Sequence, residues 1–166
     1  DEFFADVTGY IDESEIEEFA LYLKKKIFDE LKLPISIGIA NTKYLSKLIT
    51  EYAKPDGIKY VSAQNVESFI HDIPIREFPG IGKAFQERLK GYGIKTLGDI
   101  RKNQKLFYSW KKSGIDLYNR VCGIRDNKLT FDREKKSIGI GRTFDVIYNR
   151  DELRRRVMIL SRYLCF

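Results

Sequence analysis

The chain has 166 residues, 43% hydrophobic and 33% charged, with a net charge of +6. That length accommodates one ordinary domain or two small ones. No apolar run approaches the roughly 20 residues of a membrane span, and the charged start has no export-signal pattern. His71, Cys122 and Cys165 are the only histidine and cysteines, which speaks against His-based catalysis, a zinc spacing or a disulfide framework. His71 reads as a surface or boundary residue and the thiols as reduced. Charge is unevenly spread. Residues 1–62 carry 8 basic and 12 acidic side chains, residues 63–166 carry 22 and 12. A basic second part suits a polyanionic partner, or is simply a solvated lysine-rich surface.

DEFFADVTGY predicts a strand that ends in a turn at Gly9. Ser14 is then the expected N-cap of a helix whose first turn holds Glu15, Glu17 and Glu18, where the helix dipole favours anions. Ile16, Phe19, Ala20, Leu23, Ile27 and Leu31 keep helical spacing. PISIGIA (34–40) reads as a buried strand. Asn41 or Thr42 can cap the next helix, which places Leu45, Leu48, Ile49 and Tyr52 on one face. KPDG (54–57) is a turn, and IKYVS (58–62) a further strand.

From Val66 the pattern changes to short amphipathic helices punctuated by glycine, continuing through LFYSW and IDLYNRV. FDREKK (131–136) reads as a tether. IGIGRTFDVI (138–147) alternates as a strand, and NRDELRRRVMILSRYLCF begins as a helix. The expected class is α+β. Residues 1–62 form a partial α/β sheet layer, 63–130 an all-helical part, 131–137 a linker, and 138–166 the start of a further α/β domain.

PGIG (79–82) is the sharpest motif. A tight glycine hairpin between two helices, trailed by GYGI, is the pattern of a helix-hairpin-helix. Its glycines let backbone approach a phosphate, and N–H groups at the next helix N-terminus point at that anion. Lys83 adds a charge. Such contacts position a strand without reading its bases. Gly82→Val is expected to weaken binding by disrupting the hairpin; an ordinary glycine turn is the alternative. AKPDG (53–57) holds Lys54 at a helix end. Asp1 and Glu2 are either a solvated strand end or ligands of Mg²⁺, a hard cation that prefers carboxylate oxygens. Adjacent side chains of a strand point to opposite faces, so a shared ion requires a strand end or distorted turn.

In this order the pieces resemble the Y-family, or lesion-bypass, DNA polymerases. DEFFADVTGY is similar to the family's second carboxylate motif. PISIGIANTKYLSKLITEYAKPDGIKYV is similar to the stretch ending in Ala-Lys-Pro-Asp-Gly, IREFPGIGKAFQERLKGYGIKTLGDI to the thumb hairpin, and KKSIGIGRTF to the start of the little finger. The Lys-Pro-Asp-Gly and Arg-Thr-Phe forms favour the polymerase IV-like branch over the UmuC-like one. Thr42 stands where the family usually has Asn, and Thr50-Glu51 where Ser-Asp is common.

The resemblance implies a DNA-directed DNA polymerase for translesion synthesis, a nucleotidyltransferase that uses two Mg²⁺ ions. Its implied setting is cytoplasmic and nucleoid-associated, its partners primer-template DNA and dNTP. Asp1 and Glu2 are implied as catalytic, metal-binding palm carboxylates. Lys54 and, more weakly, Lys43 would meet the incoming nucleotide. Gly80, Ile81, Gly82 and Lys83 would meet the primer strand, and Arg142 and Thr143 the template region. The resemblance also implies an internal piece of the enzyme, inactive alone. The first palm strand and the fingers would precede Asp1, and most of the little finger and a sliding-clamp tail would follow Phe166. A competing reading is a non-catalytic helix-hairpin-helix DNA-binding module, which leaves DEFFADVTGY and AKPDG unexplained. A nuclease is disfavoured by the lack of further clustered acids or histidines.

Overall fold

A computed structural model describes residues 2–124, 129 and 137–165. The chain divides into two compact units, 1–129 and 130–166. The first unit begins with extended chain that turns at Gly9. Asp6 Oδ1 accepts from the Thr8 N–H at 3.0 Å, and the Val7 carbonyl accepts from Tyr10 N–H at 3.0 Å. The strand predicted over Phe3–Val7 does not form: among the described residues no segment pairs with it, and Phe3 is 67% exposed. A strand needs a partner for its ladder, whatever its side-chain pattern.

Glu13–Glu15 form a 3-10 turn that leads into α1 (Ile16–Leu31). Ser14 therefore lies inside that turn instead of capping the helix, and Asp12 takes the extended position before it. Of the predicted apolar face only Ile16 and Ala20 are buried, while Leu31 is exposed. Lys32 closes α1 in the left-handed region, its N–H returning to the Phe28 carbonyl.

β1 (Ile37–Ile39), α2 (Lys43–Ala53) and β2 (Ile58–Tyr60) make a parallel βαβ unit, with Ile37 opposite Ile58 and Ile39 opposite Tyr60. β1 is half-buried, not fully buried as its isoleucines suggest. Gly38 decides the packing of this unit. A Cβ there would stand 2.3 Å from the Thr50 nitrogen and 2.4 Å from the Ser46 carbonyl oxygen, so strand and helix backbones touch. Thr42 rather than Asn41 caps α2, its Oγ1 accepting from Leu45 N–H at 3.5 Å. Asn41 instead donates to the Gly123 carbonyl at 2.9 Å. Leu45, Leu48, Ile49 and Ala53 are the buried face of α2.

The short helices follow as the glycine punctuation predicts: α3 (Val66–Ile70), a 3-10 turn at Ile75–Glu77, α4 (Lys83–Gly91), α5 (Leu97–Lys102), α6 (Gln104–Ser109) and α7 (Lys111–Cys122). One hydrophobic core runs through them and into α2, joining Leu48 and Ile49 to Phe78, Leu89, Leu97, Phe107 and Val121. Thr96 and Asp99 form a reciprocal capping box at the start of α5. Backbone N–H groups of Lys95 and Thr96 on Asp99, aided by the Thr96 hydroxyl, hold its carboxyl below the usual range despite partial burial.

In the second unit, residues 137–149 contain no helix or strand, so the strand predicted over 138–147 is absent. α8 (Arg150–Cys165) starts at Asn149, whose Oδ1 accepts from Asp151 and Glu152 N–H groups. The predicted tether 131–136 lies outside the described residues.

Gly38→Ala should destabilise the first unit by about 2 kcal/mol or more, since the new methyl meets backbone that cannot step aside. Gly91→Ala, where a Cβ meets nothing within 4 Å, is the control and should leave the urea midpoint unchanged or raised. Equal midpoints for the two variants would refute the close-contact account.

Candidate nucleotide and nucleic-acid site

A cavity of about 520 Å³ opens between the lead-in segment, α1, β1 and α2. Its apolar floor includes Ile37 and Ile39, and Lys43, Lys47 and Lys54 line its wall from α2. Lys43 and Lys47, four residues apart, share one side of α2, and Lys54 is the extended residue that caps its end. Lys43 and Lys54 mark the two ends of α2, about 16 Å apart along its axis at 1.5 Å per residue. The structure therefore puts both predicted nucleotide lysines on one cavity without bringing them to one point.

Carboxylates answer this row. Glu2 Oε2 stands 2.6 Å from Lys47 Nζ, and that hydrogen bond, with the ammonium charge, draws the Glu2 carboxyl below its ordinary value. Lys54 Nζ meets Glu51 Oε1 at 2.8 Å. Lys43 Nζ lies 5.4 Å from the Tyr44 ring centre, and Arg120 takes position over the same ring at 4.6 Å. Lys47 joins the two predicted lysines, and its spacing of four residues from Lys43 is the sequence signal for it. Asp1 lies outside the described residues, so its pairing with Glu2 is not seen.

The described residues do not fit a Mg²⁺ ion by themselves. Glu2 is occupied by Lys47, Glu51 by Lys54 and Asp6 by the Thr8 N–H. Among the described residues no group of three or more potential ligands converges.

The second site is the turn Phe78–Gly82. Phe78 and Ile81 are buried and fix both shoulders of the hairpin, and Gln86 Nε2 donates to the Ile81 carbonyl at 3.0 Å. The Ile81 side chain thus belongs to the core, leaving its backbone at the turn. Across the base, Ile75 N–H donates to the Lys95 carbonyl and Leu97 N–H to the Ile73 carbonyl, closing the two flanks. The carbonyl of Gly82 receives Phe85 and Gln86 N–H groups. Among the described residues no hydrogen-bond acceptor faces the N–H groups of Gly82, Lys83 or Ala84. With exposed Lys83 beside them, these outward donors suit an oxyanion.

The two hairpin glycines have different reasons. Gly80 has φ +94°, a left-handed value that L side chains resist. Gly82 has φ −75° and ψ 170°, ordinary extended backbone, and a Cβ there meets nothing within 4 Å. The backbone thus gives no reason for Gly82→Val to disrupt the hairpin; the missing side chain leaves room outside the turn. Arg142 and Thr143 are exposed in the second unit, within its stretch lacking helix or strand.

A lysine-lined cavity beside a βαβ unit, sharing a core with a glycine hairpin between short helices, defines the chain as an α+β protein. Residues 1–51 match the impB/mucB/samB family, and residues 63–94 match that family's helix-hairpin-helix motif. The chain is 33% identical over 165 residues to DNA polymerase IV of Staphylococcus aureus (strain JH9), covering 97% of this chain and 46% of the relative. It is 36% identical to DNA polymerase IV of Nitrosopumilus maritimus (strain SCM1), with coverages of 81% and 38%. An insertion ternary complex of Dbh DNA polymerase superposes with a TM-score of 0.64 at 26% identity, covering 75% of this chain and 38% of that one. DinB from Sulfolobus solfataricus gives 0.62 at 27%, covering 74% and 38%. The chain belongs to the Y family of DNA polymerases, and its curated relatives named here are polymerases IV. It spans less than half their length.

Gly80→Ala should lower stability by about 1–2 kcal/mol through its left-handed backbone, whereas Gly82→Ala should melt like the parent. A thermal melt series that ranks the two equally would contradict the backbone assignment. Tyr52 and Tyr60 supply a pH test. Burial, reinforced by hydrogen bonds and charge from Glu77 and Glu13 respectively, pushes each phenol up to about 12. A phenol whose pKa is raised on folding contributes stability that is complete below the unfolded value near 10 and is lost as pH rises through the folded one. The parent should therefore lose stability between pH 10 and 12 more steeply than a Tyr52→Phe, Tyr60→Phe double variant. Parallel pH curves in urea denaturation would refute it.

Proposed function

We propose that this chain supplies nucleotide-facing lysines and a DNA-gripping hairpin to a translesion DNA polymerase. The observation that carries this reading is a single core holding the Lys43–Lys47–Lys54 row and the open N–H groups after Gly82 in one unit. Two polyanions fit: a triphosphate at the lysine row and a DNA backbone at the hairpin. Both are bound through phosphate, so neither contact depends on base identity. That a structural neighbour is an insertion ternary complex of a DNA polymerase supports both ligands.

In the reaction proposed, the primer 3′-hydroxyl attacks the dNTP α-phosphate and pyrophosphate leaves. Lys54 binds and orients the triphosphate and offsets its charge; the hairpin holds the primer strand in register. The exposed Lys54–Glu51 pair is weakly held, so phosphate can replace the carboxylate. Arg142 and Thr143 are assigned to template contact, as the resemblance implies. Magnesium is expected with this chemistry, with Asp1 and Glu2 as its assigned ligands. The described carboxylates alone do not build its site, and no step is assigned through it. DNA as substrate implies a cytoplasmic, nucleoid-bound setting.

A fluorescent primer-template duplex should bind the chain with an affinity that falls steeply, by about tenfold or more, between 50 and 200 mM salt. Lys83→Ala should reduce the slope of log affinity against log salt by about 1. Lys54→Ala should weaken dNTP binding while sparing the duplex. Salt-insensitive binding, or none at 50 mM, overturns the DNA assignment. Duplex binding with no nucleotide binding reduces the chain to a DNA-binding module.

A further inference from the structure

Tyr52 projects from the last turn of α2, two residues before Lys54, and its hydroxyl donates to Glu77 Oε2 at 2.5 Å. Glu77 is the final residue of the 3-10 turn that runs directly into the buried Phe78 and the hairpin. The Tyr52 ring stands edge-on to Phe69 of α3, with centroids 5.4 Å apart, and Lys59 of β2 lies 5.5 Å from the Phe69 ring centre. A line of contacts thus runs from sheet to hairpin: Lys59, Phe69, Tyr52, Glu77, Phe78.

We propose that Tyr52 is a positioning residue that orients the DNA-gripping hairpin relative to the lysine row on α2. This rests on the polymerase reading above for its consequence, though not for its geometry. Apolar contacts at Phe78 and Ile81 fix the depth of the hairpin, but such contacts are non-directional. A phenol–carboxylate hydrogen bond is directional and strengthened by the negative charge. Tyrosine delivers it from a stiff side chain with two torsions, whose ring is already steadied by Phe69. Tyr52 is 43% exposed, so its hydroxyl is not required to fill the core. The bond spans 25 residues of sequence and links the α/β layer to the hairpin's entrance. It leaves the Gly82, Lys83 and Ala84 donors themselves untouched.

The test uses the whole 166-residue chain with Tyr52→Phe, Glu77→Ala and Glu77→Gln. Tyr52→Phe keeps the ring on Phe69 and removes only the donor. It should weaken duplex binding about fivefold, the equivalent of one ordinary hydrogen bond, with the salt slope unchanged because the phosphate contacts remain. Glu77→Ala should do the same. Glu77→Gln keeps an acceptor for the phenol and should return affinity to within about twofold of the parent. Amide NMR shifts of Gly80, Gly82 and Lys83 should move in Tyr52→Phe without added DNA. Unmoved hairpin amides overturn the positioning role even if the parent fails to bind duplex, whereas a parent that does not bind while those amides move overturns only the polymerase reading. Unchanged duplex affinity in Tyr52→Phe, or failure of Glu77→Gln to recover what Glu77→Ala loses, also overturns the proposal.

Discussion

The contact on which this structure rests is that of Gly38 with the backbone of α2. A strand and a helix normally keep a side chain's width between them. Here the strand lies directly against Ser46 and Thr50, at distances a Cβ would forbid. That approach fixes α2 over β1, so Leu45, Leu48 and Ile49 reach the helical half of the core. It also sets where the lysines of α2 emerge. Displacing α2 would disturb the cavity wall and the core beneath the hairpin together, because one helix serves both.

Apolar and polar contacts divide the remaining work. The core determines which elements are neighbours, through burial roughly proportional to area and indifferent to direction. Directional bonds then set the hairpin: the Ile75–Lys95 and Leu97–Ile73 backbone bonds, the Thr96–Asp99 cap, and Tyr52 on Glu77. The exposed pairs Lys47–Glu2 and Lys54–Glu51 belong to a different category. Ion pairs in water contribute little to stability, since solvation competes with them. They balance charge along the cavity wall.

Much of this was legible locally. α2 was readable from its cap residue, its apolar spacing and the turn after it; the hairpin was readable from Pro79, Gly80 and Gly82 between two amphipathic segments. The failures have one cause. Phe3–Val7 and Ile138–Ile147 carry strand-like patterns, yet β structure depends on a second chain segment that a local pattern cannot supply. Gly82 follows the same logic: composition shows a glycine, but only its φ and surroundings show whether the turn or the space outside needs it. Lys47 could have been found from its spacing. Glu77 could not, because its partner is 25 residues away on another element.

The sequence by itself determined α1, α2, the turn after α2 and the glycine hairpin among the short helices. Each follows from interactions within a few residues, where backbone sterics and hydrogen-bond spacing act directly on the sequence. Tertiary structure alone decided that Gly38 presses on α2, that Lys43, Lys47 and Lys54 share a cavity, that Glu2 faces Lys47, and that Tyr52 reaches Glu77. Those relations join segments far apart in the chain. Their geometry is set by how the common core closes, which no local pattern records.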